Sequence, residues 1–238
     1  MRTAYTVFRN LYNVRKMTMK LVLASGSQRR RELLTMCGYD YEIIVSNADE
    51  TIDENDPESF VRALSFRKAK EVFDRLFAAG RRDFAAIGSD TVVAFQKDGE
   101  TKPVIIGKPK DAEDAVRILS MLSGKTHRVF TGVSVIADIP DENAAAQCSI
   151  RKKEEIQTEC SITEVTFETL SPDEIADYVN SGDPLDKAGS YGIQGPFGMF
   201  VREIRGNYFT VIGMPIPVLY KMLKKIGILP HGFYERIE

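Results

Sequence analysis

Hydrophobic residues along the chain fall into short runs and alternating stretches that predict β-strands. A continuous apolar run at residues 21–24 predicts a buried strand, and residues 41–45 predict a second strand. A longer run at residues 84–95 predicts a central strand with a polar interruption. Residues 127–137 and 158–168 alternate between apolar and polar positions, so they predict the two arms of a hairpin.

Apolar residues at helical spacing predict helices between these strands. Asp56 and Pro57 are typical of the N-cap and first position of a helix, which the spacing extends to Gly80. Ser171-Pro172-Asp173-Glu174 is a capping-box sequence that opens a helix ending at Gly182. Further helices are predicted before Gly38, over residues 111–122 and over residues 217–225.

Turns and shorter strands complete the predicted elements. Residues 97–100 predict a hairpin turn into a strand at 104–106, and residues 198–204 and 208–212 form two late strand-like pieces. The segment 138–157 is charged, rich in alanine and aperiodic, so we expect a mobile insertion in the hairpin. Because strands alternate with helices while hairpins require antiparallel pairs, the sequence predicts an α/β fold with a long mixed β-sheet flanked by helices.

The chain of 238 residues is predicted to form one domain over residues 20–228. An aperiodic N-terminal extension, residues 1–19, precedes this domain, and a short tail, residues 229–238, follows it. Apolar residues make up 43% of the chain and charged residues 28%, which is enough to bury a core. This composition excludes a disordered or fibrous protein.

Charge and cysteine content exclude several classes of partner. The 32 basic and 34 acidic side chains nearly balance, so we expect no nucleic-acid partner. No apolar run approaches the roughly 18 residues that cross a bilayer, so we expect no membrane partner. Three irregularly spaced cysteines favour a reducing, cytoplasmic compartment. The first 31 residues contain no acidic side chain, so an organelle-targeting leader is the alternative.

Small and basic residues follow the first predicted strand. The sequence SGSQRR at residues 25–30 lets backbone N–H groups approach an anion, and its guanidinium groups add charged donors. We therefore predict that Ser25, Arg29 and Arg30 bind phosphate. The alternative is an ordinary strand-to-helix turn with solvated arginines.

A carboxylate interrupts the predicted central strand. Asp90 lies in the sequence GSDT at residues 88–91, within an otherwise apolar run. Burial of an isolated charge costs free energy, so Asp90 should face a cleft, pair with a cation or bind a metal. Asp90 is the leading candidate for a catalytic residue, and the alternative is a strand-end aspartate in a turn hydrogen bond.

Two lysines and an acidic loop are further candidates. Lys68 lies on the long predicted helix and Lys108 in a tight loop, where each could bind phosphate or simply face water. The acidic residues 49–54 could supply oxygen ligands to Mg²⁺, which favours one or two carboxylates together with substrate phosphates. A solvated charged loop is equally compatible with this sequence.

Residues 182–195 contain more glycine than a structural linker needs, and such loops often carry function. In this loop Asp186 and Lys187 could organise a metal or a phosphate. Gln194 offers a donor and an acceptor, so it can read the edge of a nucleobase. The alternative is a glycine-rich connection with solvated charges.

Five segments, taken in order, resemble the Maf family of nucleoside-triphosphate pyrophosphatases. The resemblance spans residues 20–228, and it departs from the family at Gln28, where proline is usual. It implies a two-lobed fold on a long mixed sheet, related to the inosine-triphosphate pyrophosphatases, with a cleft between the lobes and frequent homodimers. The segments are LASGSQRR at 23–30, SDTV at 89–92, GKP at 107–109, SGKTH at 123–127 with TGV at 131–133, and DKAGSYGIQG at 186–195.

This resemblance also implies a reaction and the residues that perform it. The reaction is hydrolysis of a nucleoside triphosphate to the monophosphate and pyrophosphate, with Mg²⁺ or Mn²⁺ as the divalent metal. Asp90 matches the family's proton acceptor, and Glu50 with Asp90 would bind the metal. The positions that match substrate or metal contacts are Ser25, Arg29, Arg30, Glu50, Lys68 and Lys108.

In the family, three positions select the base, and here they are Arg29, Thr91 and Gln194, the pattern of the branch that acts on dTTP and UTP. A glutamine amide can pair with the O4 and N3–H edge of thymine or uracil. The alternatives are a 7-methyl-GTP or inosine-triphosphate pyrophosphatase and, from another class, a non-catalytic nucleotide-binding regulator of septum formation or cell division. The expected partners are the nucleoside triphosphate and a second copy of the chain.

Overall fold

The computed structural model describes residues 19–96, 99–140 and 152–231. Four features predicted from the sequence therefore lie partly outside the described residues: the extension before residue 19, the turn at residues 97 and 98, residues 141–151 of the insertion, and the tail from residue 232.

A mixed sheet of seven strands forms the centre of the described chain. Its strands are β1 (Lys20–Leu23), β2 (Tyr41–Ile43), β3 (Phe84–Phe95), β4 (Val104–Ile106), β5 (Thr126–Pro140), β6 (Lys152–Phe167) and β7 (Val201–Arg205). The spatial order is β2-β1-β3-β5-β6-β7, with β4 also on β3. β2, β1 and β3 are parallel and the remaining pairs are antiparallel. The predicted mixed sheet is thus confirmed.

Helices connect these strands and begin at the capping residues that the sequence indicates. The Asp56 side chain accepts a hydrogen bond from the Ser59 N–H at 2.9 Å, and Ser171 forms a complete capping box with Glu174. No helix in the described ranges is both long enough and apolar enough to cross a bilayer. The helices are α1 (Gln28–Met36), α2 (Pro57–Ala78), α3 (Ala112–Leu122), α4 (Pro172–Asn180), α5 (Tyr208–Ile212) and α6 (Ile216–Lys225).

The helices cover both faces of the sheet because alternate strand residues point to opposite sides. On one face α1 and α6 pack against Ala85 and Ile87 of β3. On the other face α2 packs against Phe84 and Ala86 of the same strand. Helices α3 and α4 bury a third apolar cluster around Phe95. The odd and even positions of β3 therefore lie in two different environments.

Two of the predicted segments differ in the structure. Residues 208–212 form the short helix α5 and not a strand, because the Asn207 side chain caps the Phe209 N–H at 2.9 Å and Gly213 ends the turn with φ +112°. The hairpin strands extend into the flanks of the predicted insertion, where Asp138 pairs with Glu154. The two strands pair through backbone hydrogen bonds, which do not require apolar residues at alternate positions. The sequence pattern therefore did not indicate this extension.

Candidate active site

Among the described strands, none pairs with one edge of β3 over a short stretch, which leaves a gap in the sheet. Along residues 85–94, β3 pairs with β5. On the opposite edge β1 pairs with residues 84–87 and β4 with residues 93–95, so no described strand pairs there with residues 88–92. Crevices where a parallel strand ends are frequent ligand sites in α/β sheets. This gap is where the structure places Asp90.

Arg30 of α1 bridges the gap from the end of β1 to β3. Its Nε donates to the Gly213 carbonyl oxygen at 2.9 Å. Its Nη1 donates to Ser25 Oγ at 3.0 Å, and its Nη2 makes a longer bond of 3.5 Å to Thr91 Oγ1. Burial lowers the pKa of Arg30, and the nearby charge of Asp90 opposes this effect. The structure therefore brings Ser25, Arg30 and Thr91 together.

Asp90 pairs with Lys68 on the α2 face of the sheet. Lys68 Nζ lies 2.7 Å from Asp90 Oδ1 and 2.9 Å from Glu50 Oε1. The Lys68 and Asp90 side chains are only 11% and 12% exposed, whereas Glu50 is 67% exposed. Of the settings considered for Asp90, the structure thus contains the paired cation. Three separate segments of the chain contribute these three charged groups.

Two glycines let α2 approach the sheet closely enough for this contact. A Cβ at Gly88 would lie 2.1 Å from the Ser65 carbonyl oxygen, and one at Gly132 would lie 2.2 Å from the Val61 carbonyl oxygen. Any larger residue at either position would push the helix away from the sheet. The two glycines, on adjacent strands, therefore hold the Lys68 helix turn over Asp90.

Arg67 holds the acidic loop beside the gap. Its Nη1 donates to the carbonyl oxygens of Asp49 and Thr51 at 2.8 and 2.9 Å. These two carbonyls flank Glu50, so Arg67 fixes the backbone that carries the Glu50 carboxylate. Arg67 was not predicted from the sequence, because nothing in the local sequence distinguishes it from any other arginine on a helix.

The glycine-rich loop closes the other side of the gap with a chain of charges. Arg29 Nη1 lies 3.4 Å from Asp186 Oδ2, and Lys187 Nζ lies 2.7 Å from Asp186 Oδ1 and 2.9 Å from Asp183 Oδ1. Desolvation raises the pKa of Asp186, but the hydrogen bond from Lys187 and the charge of Arg29 outweigh it, so the pKa is lowered. The predicted Asp186 and Lys187 thus meet the predicted Arg29.

A backbone contact sets the position of this loop. The Gly189 N–H donates to the Gly107 carbonyl oxygen at 3.0 Å, just after β4. Gly189 has φ +71°, and a Cβ there would lie 2.6 Å from Val93 Cγ2, so only glycine fits. Lys108 follows Gly107 and is exposed, and its charge contributes to the lowered pKa of Asp186. Lys108 therefore lies on this rim.

Tyr178 of α4 is a second residue at this site that was not predicted from the sequence. Its hydroxyl donates to Asp183 Oδ2 at 2.6 Å and accepts from the Gly192 N–H at 3.1 Å, so it ties two parts of the loop together. Gln194 lies two residues beyond Gly192 and is exposed. Within the described ranges, Gln194 makes no hydrogen bond to the other predicted site residues. The structure does not join it to the charged cluster.

The two carboxylates in the gap suit a hard divalent cation. Oxygens of Glu50 and Asp90 converge on the single point that Lys68 Nζ occupies. No cluster of three or more His, Cys, Asp or Glu side chains with metal-binding geometry occurs in the described part of the chain. Mg²⁺ commonly takes one or two carboxylates and completes its shell with substrate phosphates and water. The residues present therefore fit a metal that binds together with its substrate.

Comparison with known proteins identifies the family of the chain. The family model described as "Maf-like protein" matches residues 20–226, from β1 to the end of α6. The chain belongs to the Maf family. The family resemblance drawn from the five sequence segments is thereby confirmed, and this Maf protein carries four of those segments around the gap in its sheet: residues 23–30, 89–92, 107–109 and 186–195.

Relatives of this Maf protein include two bacterial proteins named dTTP/UTP pyrophosphatase. The one from Agathobacter rectalis is 40% identical over 217 residues, covering 88% of this chain and 98% of the relative. The one from Bacillus thuringiensis subsp. konkukian is 42% identical over 210 residues, covering 88% and 96%. Among solved structures, the Staphylococcus aureus Ham1 protein matches with 14% identity and a TM-score of 0.43, covering 87% of this chain and 98% of that chain.

Proposed function

We propose that this protein is a metal-dependent nucleoside-triphosphate pyrophosphatase that hydrolyses dTTP and UTP to the monophosphate and pyrophosphate. The observation that carries the proposal is the paired Asp90 and Lys68 in a gap that Arg29 and Arg30 border. One potential base and several cations then lie at the same gap in the sheet, which is what attack of water on a triphosphate requires. The two relatives named dTTP/UTP pyrophosphatase support the same activity.

In the proposed reaction, a water oxygen forms a bond to the α-phosphorus while the bond from that phosphorus to the bridging oxygen breaks. Asp90 accepts the proton from the water, and the electron pair of the broken bond leaves with pyrophosphate. Arg30, Lys68 and Lys108 neutralise the charge that develops on the leaving group. Lys68 already contacts Asp90, so it orients the carboxylate in the free protein.

We propose Mg²⁺ or Mn²⁺ as the cofactor, held by Glu50 and Asp90 together with the substrate phosphates. A bound divalent ion would supply additional charge neutralisation at the phosphoryl oxygens. Arg67 serves this site indirectly, because it fixes the loop that carries Glu50.

Base choice is assigned in this proposal to Arg29, Thr91 and Gln194. The exposed Gln194 amide is free to pair with O4 and N3–H of uracil or thymine, donating to the first and accepting from the second. Asp186 and Lys187 hold Arg29 at the rim, next to the glycine-rich loop. Adenine and cytosine present an amino donor and a ring-nitrogen acceptor instead, so a pair with Gln194 of this kind disfavours those two bases. Guanine and hypoxanthine carry O6 and N1–H in the same arrangement as uracil, so the pyrimidine preference is proposed from the relatives named dTTP/UTP pyrophosphatase.

We further propose that the protein works in the cytoplasm as a homodimer. The exposed Met36 and Ile43, 61% and 42% accessible, lie near the edge strand β2 and suit a contact between two copies. Sedimentation of the full chain checks the dimer, and imaging of a tagged full chain checks the compartment.

The test of the proposed function is a panel of nucleoside triphosphates incubated with the full chain and Mg²⁺. We expect pyrophosphate as the product and the highest kcat/KM for dTTP and UTP. Orthophosphate as product would refute the reaction, and preference for 7-methyl-GTP or inosine triphosphate would refute the base assignment. Tight nucleotide binding without turnover would indicate a regulator instead of an enzyme.

A further inference from the structure

A line of hydrogen-bonding groups lies behind Arg30, on the face of the sheet opposite Asp90. Thr91 Oγ1 on β3 lies 3.0 Å from Thr131 Oγ1 on β5. Thr131 Oγ1 in turn lies 2.7 Å from the carbonyl oxygen of Thr210 in α5. Thr131 and Thr210 are fully buried, so no solvent competes for these bonds. The line ends inside the protein at a carbonyl group.

The buried carbonyl fixes the direction of every bond in this line. A carbonyl oxygen only accepts, so Thr131 must donate its single hydroxyl hydrogen to Thr210. Thr131 can then only accept in its contact with Thr91, and Thr91 must be the donor there. With its hydrogen used, Thr91 Oγ1 offers only lone pairs to any other neighbour.

The neighbour that meets these lone pairs is Arg30 Nη2, at 3.5 Å. A guanidinium group has five N–H donors in a rigid plane. Three of them are used by Gly213, Ser25 and Thr91. One N–H on each terminal nitrogen therefore has no hydrogen-bond partner among the described residues. One N–H on each of two terminal nitrogens can donate to two oxygens of one phosphate group.

We infer that Thr131 is a positioning residue, which orients the Thr91 hydroxyl so that Arg30 is held as a two-pronged donor for a phosphate group. If the hydrogen of Thr91 faced Arg30 instead, two positively polarised hydrogens would meet and the guanidinium would lose its third anchor. This inference rests on the proposed function only for the identity of the ligand, a triphosphate.

The test measures binding of inorganic tripolyphosphate by calorimetry, which requires no turnover. Thr131→Val removes the hydroxyl and keeps the shape, and we expect about 10-fold weaker binding. Thr131→Ser restores the hydroxyl and should bind like the wild type. Ser134→Ala is the matched control, because Ser134 is also fully buried on β5 and also links two hydroxyls, Ser65 and Thr158, on the other face. Its binding should be unchanged.

A double-mutant cycle keeps the inference open to refutation if the Thr131→Val protein folds poorly. Thr91→Val changes a half-buried residue in the gap and should weaken tripolyphosphate binding by a similar factor. Because the two hydroxyls act as one unit, the double variant should bind no more weakly than either single one. Additive losses, unchanged binding in both single variants, or equal losses in Ser134→Ala would overturn the inference. A wild type that binds tripolyphosphate but hydrolyses no pyrimidine triphosphate would refute the proposed function alone.

Discussion

Arg29 and Asp186 join the two sides of the gap, with Nη1 and Oδ2 3.4 Å apart although 157 positions separate the residues in sequence. Their side chains are 31% and 68% exposed, and ion pairs with this exposure stabilise a fold by about 1 kcal/mol or less. The pair therefore contributes little to stability. Under the proposed function, it holds a cation at the rim until a more highly charged anion competes for it.

Removal of the Asp186 charge should strengthen anion binding. In Asp186→Asn, Arg29 and Lys187 lose a counter-charge, so we expect pyrophosphate to inhibit about 3- to 10-fold more strongly at low ionic strength and less so in high salt. The melting temperature should change by no more than about 2 °C. Glu168→Gln is the control, since Glu168 and Arg202 form a similarly exposed pair elsewhere. Weaker inhibition in Asp186→Asn would contradict this role.

Asp90→Asn should remove the proton acceptor and retain the shape of the site. We expect kcat for UTP hydrolysis to fall by about 10²-fold or more, with substrate binding largely kept. The measurement is steady-state kinetics together with calorimetric binding of UTP. Asp138→Asn provides a control, because Asp138 is a buried carboxylate on β5. That variant should lose stability and keep its kcat, and an active Asp90→Asn enzyme would exclude Asp90 as the base.

Lys68→Met should leave the carboxylates of Glu50 and Asp90 without their paired cation and so destabilise the fold. Asp90 is mostly buried, so its unpaired charge should lower the free energy of unfolding by about 2 kcal/mol in urea titrations. Adding Asp90→Asn should restore most of that loss. Lys70→Met serves as the control, because Lys70 pairs with Asp74 at the surface of the same helix.

The same variant tests the proposed metal site. Without the Lys68 ammonium between them, Glu50 and Asp90 should bind Mg²⁺ more readily in the absence of substrate. We therefore expect Mg²⁺ to raise the melting temperature of Lys68→Met more than that of the wild type. Equal shifts in the two proteins would argue against Glu50 and Asp90 as metal ligands.

His127 should make the protein less stable in acid. Burial lowers the pKa of His127 from 6.5 to about 3, and its Nε2 lies 3.0 Å from the Tyr191 hydroxyl. Between these pH values the unfolded chain binds a proton that the folded chain does not, so stability falls as the pH falls. This residue contributes at most about 1.4 kcal/mol per pH unit.

Urea titrations between pH 7 and pH 4 measure this effect. His127→Phe should reduce the pH dependence of the unfolding free energy by about one proton, whatever its absolute stability. An identical pH slope in His127→Phe and wild type would show that His127 titrates normally in the folded protein.

Sequence-local signals predicted much of this fold. The caps at Asp56 and Ser171 are hydrogen bonds between groups three residues apart, so the local sequence is enough to predict them. The five motif segments likewise predicted the family and most of the residues at the gap. The strand predicted over residues 208–212 was wrong, because a short apolar run fits either a strand or a helix. The side-chain cap at Asn207 favours the helix.

The roles of Arg67, Tyr178 and Thr131 depend on the tertiary structure alone. Arg67 and Thr131 contact residues 18 and 40 positions away, and Tyr178 ties Asp183 to Gly192, which is 14 positions from it. No spacing along the chain distinguishes these three from ordinary helix or strand residues. The sequence by itself determined which chemical groups are present and, apart from residues 208–212, which segments form the main helices and strands. Only the sheet order decided that β1 and β4 leave part of one edge of β3 unpaired, because pairing between strands depends on contacts that no local segment contains.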